Sequence, residues 1–188
     1  KYYYDNYRIV TDPKNSENKA LLYNHSSTSI VVKEALWPIK GKLVNLTFKI
    51  RTEEIEPFTP PIIYFNWVDE KNYIGLQILP HYAQIVYAVE GVEGYLAKVL
   101  LYNNQQLLLS EWTDVEINVD DRGVIAYNIV SSNEISISGS ALINGVNGGR
   151  VAIGHARGFT DNFKISKDIY IDDIEASFVK GDWDINEE

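Results

Sequence analysis

Two pairs of carboxylate residues have the type and spacing that acid–base hydrolysis would use. Asp114 and Glu116 are two residues apart in an alternating stretch, so a strand would place both side chains on one face. Glu53 and Glu56 lie beside a turn at Pro57. Glycosidases hold two carboxylates about 5 to 10 Å apart across a cleft. Charged residues on a solvated strand produce the same pattern, and we favour that interpretation for both pairs.

The sequence contains no residue spacing that supports another type of catalytic site. His81, Tyr82, Gln84, His155 and Arg157 supply the residue types of a lyase, but no spacing in the sequence brings them together. The sequence contains neither the Gly-x-Ser-x-Gly elbow nor a glycine-rich phosphate loop. It has no Cys, which excludes thiolate nucleophiles, disulfides and Cys-bearing metal sites. We expect a protein that is not an enzyme, with a polysaccharide hydrolase or lyase as the alternative.

Aromatic and amide side chains in the middle of the chain have the chemistry of a carbohydrate site. Sugars stack their C–H faces on exposed aromatic rings, and planar polar groups hydrogen-bond their hydroxyls. Tyr73 and Gln77 share the polar face of one predicted strand, Trp67 ends the preceding strand, and Tyr82 follows in the next loop. We predict that these four residues bind a glycan or polysaccharide; packing of Trp67 in the core is the alternative.

Oxygen-bearing side chains at the two ends of the chain are typical of calcium ligands. One polar loop contains Asp12, Asn15, Glu17 and Asn18, and the predicted final strand contains Asp172 and Asp173. Two adjacent acids on a strand cannot both face a core, so one must be solvated, paired or metal-bound. The sequence predicts a structural Ca²⁺ held by Asp12, Asp172 and Asp173.

Composition limits the class of partner. The 188 residues carry a net charge of −9 with no basic cluster, so we expect no nucleic-acid partner. The most apolar stretch, 98–109, is interrupted by Asn and Gln, so we expect no membrane span. A chain that begins at Lys1 and lacks Met predicts processing from a longer precursor, by signal-peptide removal or at a domain boundary.

Two N-x-S/T sequons agree with an extracellular or cell-surface location. They place candidate glycosylation sites at Asn24 and Asn45. An extracellular domain without Cys and rich in Tyr and Ile also fits a thermophilic source.

Period-2 alternation and the near absence of helical periodicity predict an all-β fold, in one domain over residues 1–188. In the strand 72–79, Ile74, Leu76 and Ile78 would face a core, and the opposite face would meet water. Gly91 and Gly94 mark one turn, 120–123 a hairpin turn, and 140–144 a short helical turn. The remaining predicted strands span 42–51, 62–68, 84–90, 96–102, 112–119, 124–130, 134–138, 150–154 and 169–178.

The order of these segments resembles the concanavalin A-like, laminin-G-like superfamily of jelly rolls. The resemblance rests on an opening YRIVTDPKNSENKALLYN (7–24), the strands at 37–51, 64–78 and 112–119, and a closing GGRVAIGHARGFTDNFKISKDIYIDDIEASF (148–178). It implies a two-sheet antiparallel jelly-roll β-sandwich whose last strand lies beside the N-terminal segment. Glucan hydrolases of this superfamily carry a Glu-x-Asp-x-x-Glu pattern, which the sequence lacks.

The superfamily includes lectins, hydrolases, lyases and structural domains, so the resemblance leaves function open. We predict a non-catalytic lectin-like domain that binds carbohydrate at a cell or matrix surface. The alternative is a subunit of an extracellular filament, tube or surface layer, in which sister subunits of a homo-polymer join through the Tyr-rich start, the charged end and the sheet edges.

Overall fold

A computed structural model describes residues 7–23, 34–35, 42–52, 61–146, 148–155 and 168–179. Within these residues the regular structure consists only of β-strands, which confirms the predicted all-β class. The strands are β1 Tyr7–Asp12, β2 Asn15–Tyr23, β3 Glu34–Ala35, β4 Lys42–Thr52, β5 Pro61–Asp69, β6 Asn72–Ile78, β7 Tyr82–Val89, β8 Val92–Leu100, β9 Thr113–Val119, β10 Val124–Val130, β11 Ser136–Leu142, β12 Arg150–His155 and β13 Ile169–Val179. No helix in the described ranges is long and apolar enough to cross a membrane.

The strands form two antiparallel sheets. The seven-stranded sheet has the order β1-β2-β13-β4-β9-β10-β11, and the six-stranded sheet has the order β3-β12-β5-β6-β7-β8. As predicted, the last strand lies beside the N-terminal segment, because β13 pairs with β2 with Ile169 opposite Tyr23. The prediction of a two-sheet antiparallel sandwich is therefore confirmed.

The core lies between the inner faces of the two sheets. Ile74, Leu76 and Ile78 of β6 all point into it, as their alternation predicts. They pack with residues of the opposite sheet such as Phe48 and Ile117. The outer face of each sheet is the one that points away from this core. Alternation then assigns every second residue of a strand to an outer face.

Two predictions of local structure are wrong. Ser140–Leu142 do not begin a helical turn but complete β11, where Leu142 lies opposite Val124. The hydrogen-bonded ladder with β10 outweighs a helical preference that extends over only a few residues. Gly94 is not in a turn but inside β8, where a Cβ atom would collide with the Tyr87 hydroxyl.

The two turns that position the site strands follow ordinary hairpin chemistry. Glu90 and Gly91 connect β7 to β8 with φ angles of 50° and 84°, as a two-residue type I′ turn requires. The hairpin predicted at 120–123 is confirmed, because Gly123 has a φ of 86° and its N–H donates to the Asp120 carbonyl at 3.0 Å.

Candidate functional site

The four residues predicted to bind a glycan lie on the outer face of the six-stranded sheet. Trp67 of β5 lies directly opposite Tyr73 of β6, and Gln77 of β6 lies opposite Gln84 of β7. Tyr82 begins β7, on the same face as Gln84. The fold therefore gathers the predicted residues on one face, but their exposures differ.

Trp67 and Tyr73 are buried in an aromatic cluster. Their rings stack with centroids 5.5 Å apart, and Tyr64 contacts both edge-on at 5.4 Å and 5.2 Å. Only 8% of Trp67 and 6% of Tyr73 are exposed. The expectation that this face of β6 meets water is wrong at these positions, because each ring packs against a ring of the neighbouring strand. Sugar stacking requires an open ring face, which these two rings do not present.

Gln77 is also buried, and its amide oxygen accepts a hydrogen bond from Gln84 Nε2 at 2.5 Å. This bond satisfies a polar atom that would otherwise be costly to bury. Tyr82 is half-buried, and Lys98 Nζ lies 4.2 Å from its ring centroid. Burial raises the pKa of the Tyr82 hydroxyl. Of the four predicted residues, Tyr82 alone has a partly accessible ring.

The outer face of the seven-stranded sheet has a more open surface. Alternation along β4, β9, β10 and β13 directs mostly polar side chains away from the core. Together they border a groove of about 530 Å³, here called the polar groove. Its outward-pointing side chains are Thr47, Lys49, Asp114, Glu116, Asn128, Val130, Asp173 and Glu175. Asp114 and Glu116 share a face here, as their spacing predicts.

Register explains why these side chains meet. Thr47 of β4 lies between Glu116 of β9 and Glu175 of β13. Lys49, two residues further along, lies opposite Asp114. A row of hydrogen-bonding groups therefore crosses three adjacent strands.

Lys49 provides the positive charge of the polar groove. Its Nζ atom lies 2.8 Å from Asp173 Oδ2. The hydrogen bond to Asp173 raises the pKa of Lys49, and the charges of Asp173 and Asp114 act in the same direction. Asp173 reaches this position from a β-bulge in β13, where its φ is 49°. A bulge of this kind re-aims a side chain. Among the described residues, Asp114, Glu116 and Glu175 form no ion pair.

No family model matches this sequence, and no curated protein matches it. Its fold, however, is similar to solved structures. The carbohydrate binding module CBM66 from Bacillus subtilis matches with a TM-score of 0.55 and 6% identity over 90% of both chains. Peanut lectin with a 9mer peptide matches with a TM-score of 0.51 and 9% identity over 91% of both chains. The botulinum neurotoxin type G receptor binding domain matches with a TM-score of 0.56 and 12% identity over 94% of this chain and 41% of that one.

The chain has the concanavalin A-like jelly-roll fold. Sequence identities this low show only that the fold is shared, so the function of the jelly roll has to be argued from its own residues.

Both carboxylate oxygens of Asp12, one of the predicted calcium ligands, accept hydrogen bonds from protein groups. Its Oδ1 atom accepts from Arg51 Nη2 at 2.9 Å and from the Lys14 N–H at 2.9 Å, and its Oδ2 atom accepts from the Trp112 indole at 3.1 Å. Burial opposes ionisation of Asp12, but the Lys14 N–H, Trp112 and Arg51 outweigh it and lower the pKa. The Arg51 guanidinium also lies 4.3 Å from the ring centroid of Tyr170.

The other two predicted calcium ligands have partners as well. Asn18 Nδ2 donates to Asp172 Oδ2 at 2.6 Å, and Asp173 pairs with Lys49. In the described part of the chain, no three His, Cys, Asp or Glu side chains converge in a way that could hold a metal ion. Calcium binding by Asp12, Asp172 and Asp173 therefore stays a prediction that the described geometry does not support.

Of the two predicted glycosylation sites, Asn24 lies outside the described residues. Asn45 lies in β4, between β13 and β9, and its Nδ2 donates to Asn118 Oδ1 at 2.7 Å and to Glu116 Oε1 at 3.2 Å. Glycosylation of Asn45 would replace one of these N–H donors, and it stays a prediction.

Sequence reasoning missed residues of the polar groove and of the buried cluster around Asp12. Lys49 and Glu175 come from β4 and β13, which are far apart in sequence and become neighbours only through the strand order. Arg51 has the same property, because Asp12, Trp112 and Tyr170 reach it from three separate strands or their flanks. The available signal was an Arg at an alternating position of a predicted strand, which does not identify its partners.

Proposed function

We propose that this jelly roll binds carbohydrate in the polar groove. The observation that carries the proposal is a groove of about 530 Å³ on an open sheet face, bordered mostly by hydrogen-bonding side chains. Ligand sites in proteins commonly have volumes of about 300 to 1,000 Å³. This volume suits a short oligosaccharide or a segment of a longer chain.

The side chains of the polar groove match the chemistry of a polyhydroxylated ligand. The carboxylates of Asp114, Glu116 and Glu175 accept hydrogen bonds from sugar hydroxyls, and charged acceptors form the stronger bonds. Lys49 donates to hydroxyl or ring oxygens, and the Asn128 amide does both. Val130, which is 37% exposed, offers an apolar surface to the C–H groups of a sugar.

The fold similarity supports this proposal at the level of architecture. The names of two similar structures describe one as a carbohydrate binding module and the other as a lectin. The same architecture hosts many functions, so the similarity favours the proposal without selecting a sugar. We further propose that the domain acts at a cell or matrix surface, where polysaccharides are displayed.

A glycan array followed by calorimetry tests this proposal. The purified chain should retain at least one glycan class, and the double variant Asp114→Asn/Glu116→Gln should bind it at least about tenfold more weakly, because two charged acceptors are lost. Asp121→Asn, in the exposed turn after β9, is the matched control for loss of a carboxylate and should bind normally. Equal binding by the groove variant and the control would refute the proposed site.

The same experiment compares the two outer faces. Tyr82→Ala removes the partly accessible ring on the six-stranded sheet and should leave binding unchanged. Loss of binding in Tyr82→Ala with retention in the groove variant would return the site to the residues predicted from sequence. Reducing-end analysis of the incubated glycan tests the hydrolase alternative, for which Asp114 and Glu116 were the candidate acids; we expect intact glycan.

Assembly is the second candidate function, and the composition of β8 favours it. Val92, Tyr95, Leu96 and Leu100 are exposed large apolar residues on β8, which forms an edge of the six-stranded sheet. An exposed apolar edge can pair with another chain. The predicted contacts through the chain ends, 1–6 and 180–188, lie outside the described residues. Light scattering of the native protein and of Leu96→Lys tests this function, since assembly through β8 predicts particles that dissociate in the variant.

A further inference from the structure

The polar groove carries an excess of negative charge. Its lining, all of which lies in the described ranges, contains one basic side chain, Lys49, and four carboxylates, so its formal net charge is −3. The carboxylates are those of Asp114, Glu116, Asp173 and Glu175. The net charge of the whole chain, −9, has the same sign and adds to the field at the groove. A glycan bound there therefore meets a negative potential.

Lys49 is already compensated by acidic residues on both sides. Its Nζ atom lies 2.8 Å from Asp173 Oδ2, and its position in β4 lies opposite Asp114 of β9. Asp173 reaches Lys49 from a bulge with a left-handed φ of 49°, an uncommon conformation for a residue other than glycine. The sheet thus holds a carboxylate against the one cation of the groove. An acidic sugar would have to displace Asp173 before it could pair with Lys49.

The next row of the groove leaves two carboxylates for a ligand. Thr47 lies between Glu116 of β9 and Glu175 of β13. Adjacent strands are about 4.8 Å apart, so the two glutamates flank Thr47 with about 10 Å between their backbones. Thr47 is short and the glutamates are long, so the space above Thr47 lies between two carboxylates. Glu116 Oε1 accepts from Asn45 Nδ2 at 3.2 Å, which leaves Oε2 for a ligand.

We propose that the polar groove selects glycans that carry a free amino group and excludes acidic glycans. This inference rests on the proposed function, because it names the class of carbohydrate that the same groove binds. A protonated amino group has three N–H donors, so above Thr47 it can donate to Glu116 and Glu175 together. A uronic acid or a sulfated sugar would instead lie beside carboxylates whose nearest cation, Lys49, is already paired. The ligand class is an oligosaccharide of amino sugars that are not N-acetylated.

Calorimetry with β-1,4-linked oligosaccharides of equal length tests the charge preference. Glucosamine and glucose oligomers differ only in an amine or a hydroxyl at C2, and N-acetylglucosamine oligomers carry a neutral amide there. At about pH 5.5 the amine is protonated and ordinary carboxylates are ionised. The glucosamine oligomer should bind at least about fivefold more tightly than either neutral oligomer, and added salt should reduce the difference. Equal affinities of the three oligomers would overturn the inference.

An acidic oligomer tests the predicted exclusion. An oligomer of galacturonic acid should bind at least about tenfold more weakly than the glucosamine oligomer, because like charges repel. Asp173→Gly keeps the left-handed backbone but releases Lys49, so this variant should bind the acidic oligomer more tightly than the unmodified protein does. An unchanged affinity of Asp173→Gly for the acidic oligomer would contradict the role of the Asp173–Lys49 pair.

A pair of double variants locates the preference in the groove. Glu116→Gln/Glu175→Gln keeps polar side chains but removes both charges beside Thr47, so it should bind the glucosamine and glucose oligomers equally. Asp121→Asn/Glu90→Gln removes two exposed carboxylates from hairpin turns and should retain the preference. Equal loss of the preference in both double variants would contradict the assignment, because net charge alone would then explain it.

The inference and the proposed function can fail separately. NMR shifts at Thr47 and Asn128 with a neutral or acidic glycan, and none with the glucosamine oligomer, would refute the amino-sugar preference and leave carbohydrate binding in the groove intact. Absence of shifts at these residues with every glycan would refute both. A tetralysine peptide that binds as tightly as the glucosamine oligomer would also overturn the inference, because the groove would then recognise positive charge and not an amino sugar.

Discussion

Arg51 Nη2 lies 2.9 Å from Asp12 Oδ1, in an ion pair whose two side chains are 2% and 1% exposed. The pair ties the end of β1 to β4, which the sheet order separates by β2 and β13. Trp112 adds a second attachment through its indole N–H, 3.1 Å from Asp12 Oδ2. Asp12, one of the predicted calcium ligands, thus connects separate strands on the outer face of the seven-stranded sheet.

Replacing Asp12 by Asn should strongly destabilise the fold. The change leaves the Arg51 guanidinium buried without its counter-charge, and loss of one partner of a buried pair costs about 3 to 5 kcal/mol. Urea unfolding at neutral pH measures the difference in free energy. Asp121→Asn, an exposed carboxylate in a turn, is the control and should change stability little. Equal stabilities of the two variants would contradict a structural role for the Asp12–Arg51 pair.

The Asp12–Arg51 pair also predicts that the stability of the fold depends on pH in the acid range. The pKa of Asp12 is lower in the folded chain than its usual value of 3.8, so its contribution is fully present above that value. The contribution is lost as pH falls through the lower folded pKa. The stability difference between the native protein and Asp12→Asn should therefore narrow in acid. A difference that stays constant down to about pH 2 would argue against this linkage.

Substitutions of Gln77 and Gln84, the buried amide pair, should have non-additive effects on the free energy of unfolding. Gln84→Leu alone leaves Gln77 Oε1 buried without its donor, which costs about 1 to 3 kcal/mol. Gln77→Leu/Gln84→Leu removes both polar groups and should recover most of that loss. A double-mutant cycle in urea measures the coupling, and additive effects would contradict the pairing. Glycan binding should persist in Gln77→Leu, since Gln77 is outside the polar groove.

Tyr127 connects the two sheets through its hydroxyl. This hydroxyl donates to the Ala97 carbonyl at 2.6 Å, and the Ala83 carbonyl lies 3.3 Å from the same oxygen; both carbonyls belong to the opposite sheet. Tyr127→Phe should cost about 1 kcal/mol of unfolding free energy at neutral pH. Tyr95→Phe, which changes an exposed ring, is the matched control. No loss in Tyr127→Phe relative to this control would contradict the assigned bond.

The stability contribution of the Tyr127 hydroxyl should depend on pH in the alkaline range. Burial raises the pKa of Tyr127 from 10.0 to about 12. Its stability contribution is therefore full below pH 10 and falls as pH rises towards 12, because the unfolded chain releases this proton first. Absorbance titration of tyrosinate should lose one late-titrating group in Tyr127→Phe. An unchanged late phase would assign that phase to another tyrosine.

Alternation in the sequence predicted which residues of a strand face the core. It could not predict the burial of outer-face residues, because that burial depends on side chains from neighbouring strands. The pattern of Ile74, Leu76 and Ile78 identified the core face of β6 because apolar residues there meet the opposite sheet. The same pattern misjudged Tyr73 and Gln77, whose burial depends on Trp67 and Gln84 from adjacent strands. Polar residue type indicates exposure only when no neighbour satisfies the polar atom.

The candidate site was predictable to the same partial extent. The spacing of Asp114 and Glu116 showed that they share a face, but the polar groove also needs Lys49 and Glu175 from β4 and β13. Strand order in a sandwich depends on contacts between residues distant in sequence, which one sequence does not reveal. The left-handed φ of Asp173, which aims its carboxylate at Lys49, likewise arises from a bulge and not from residue type.

The most direct test of carbohydrate binding in the polar groove is NMR mapping with the tightest-binding glycan. Titration should shift the amide signals of Thr47, Glu116 and Asn128 together and saturate at one affinity, while those of Tyr82 and Gln84 stay in place. Shifts confined to Tyr82, Gln84 and their neighbours would contradict the account and place the glycan on the six-stranded sheet.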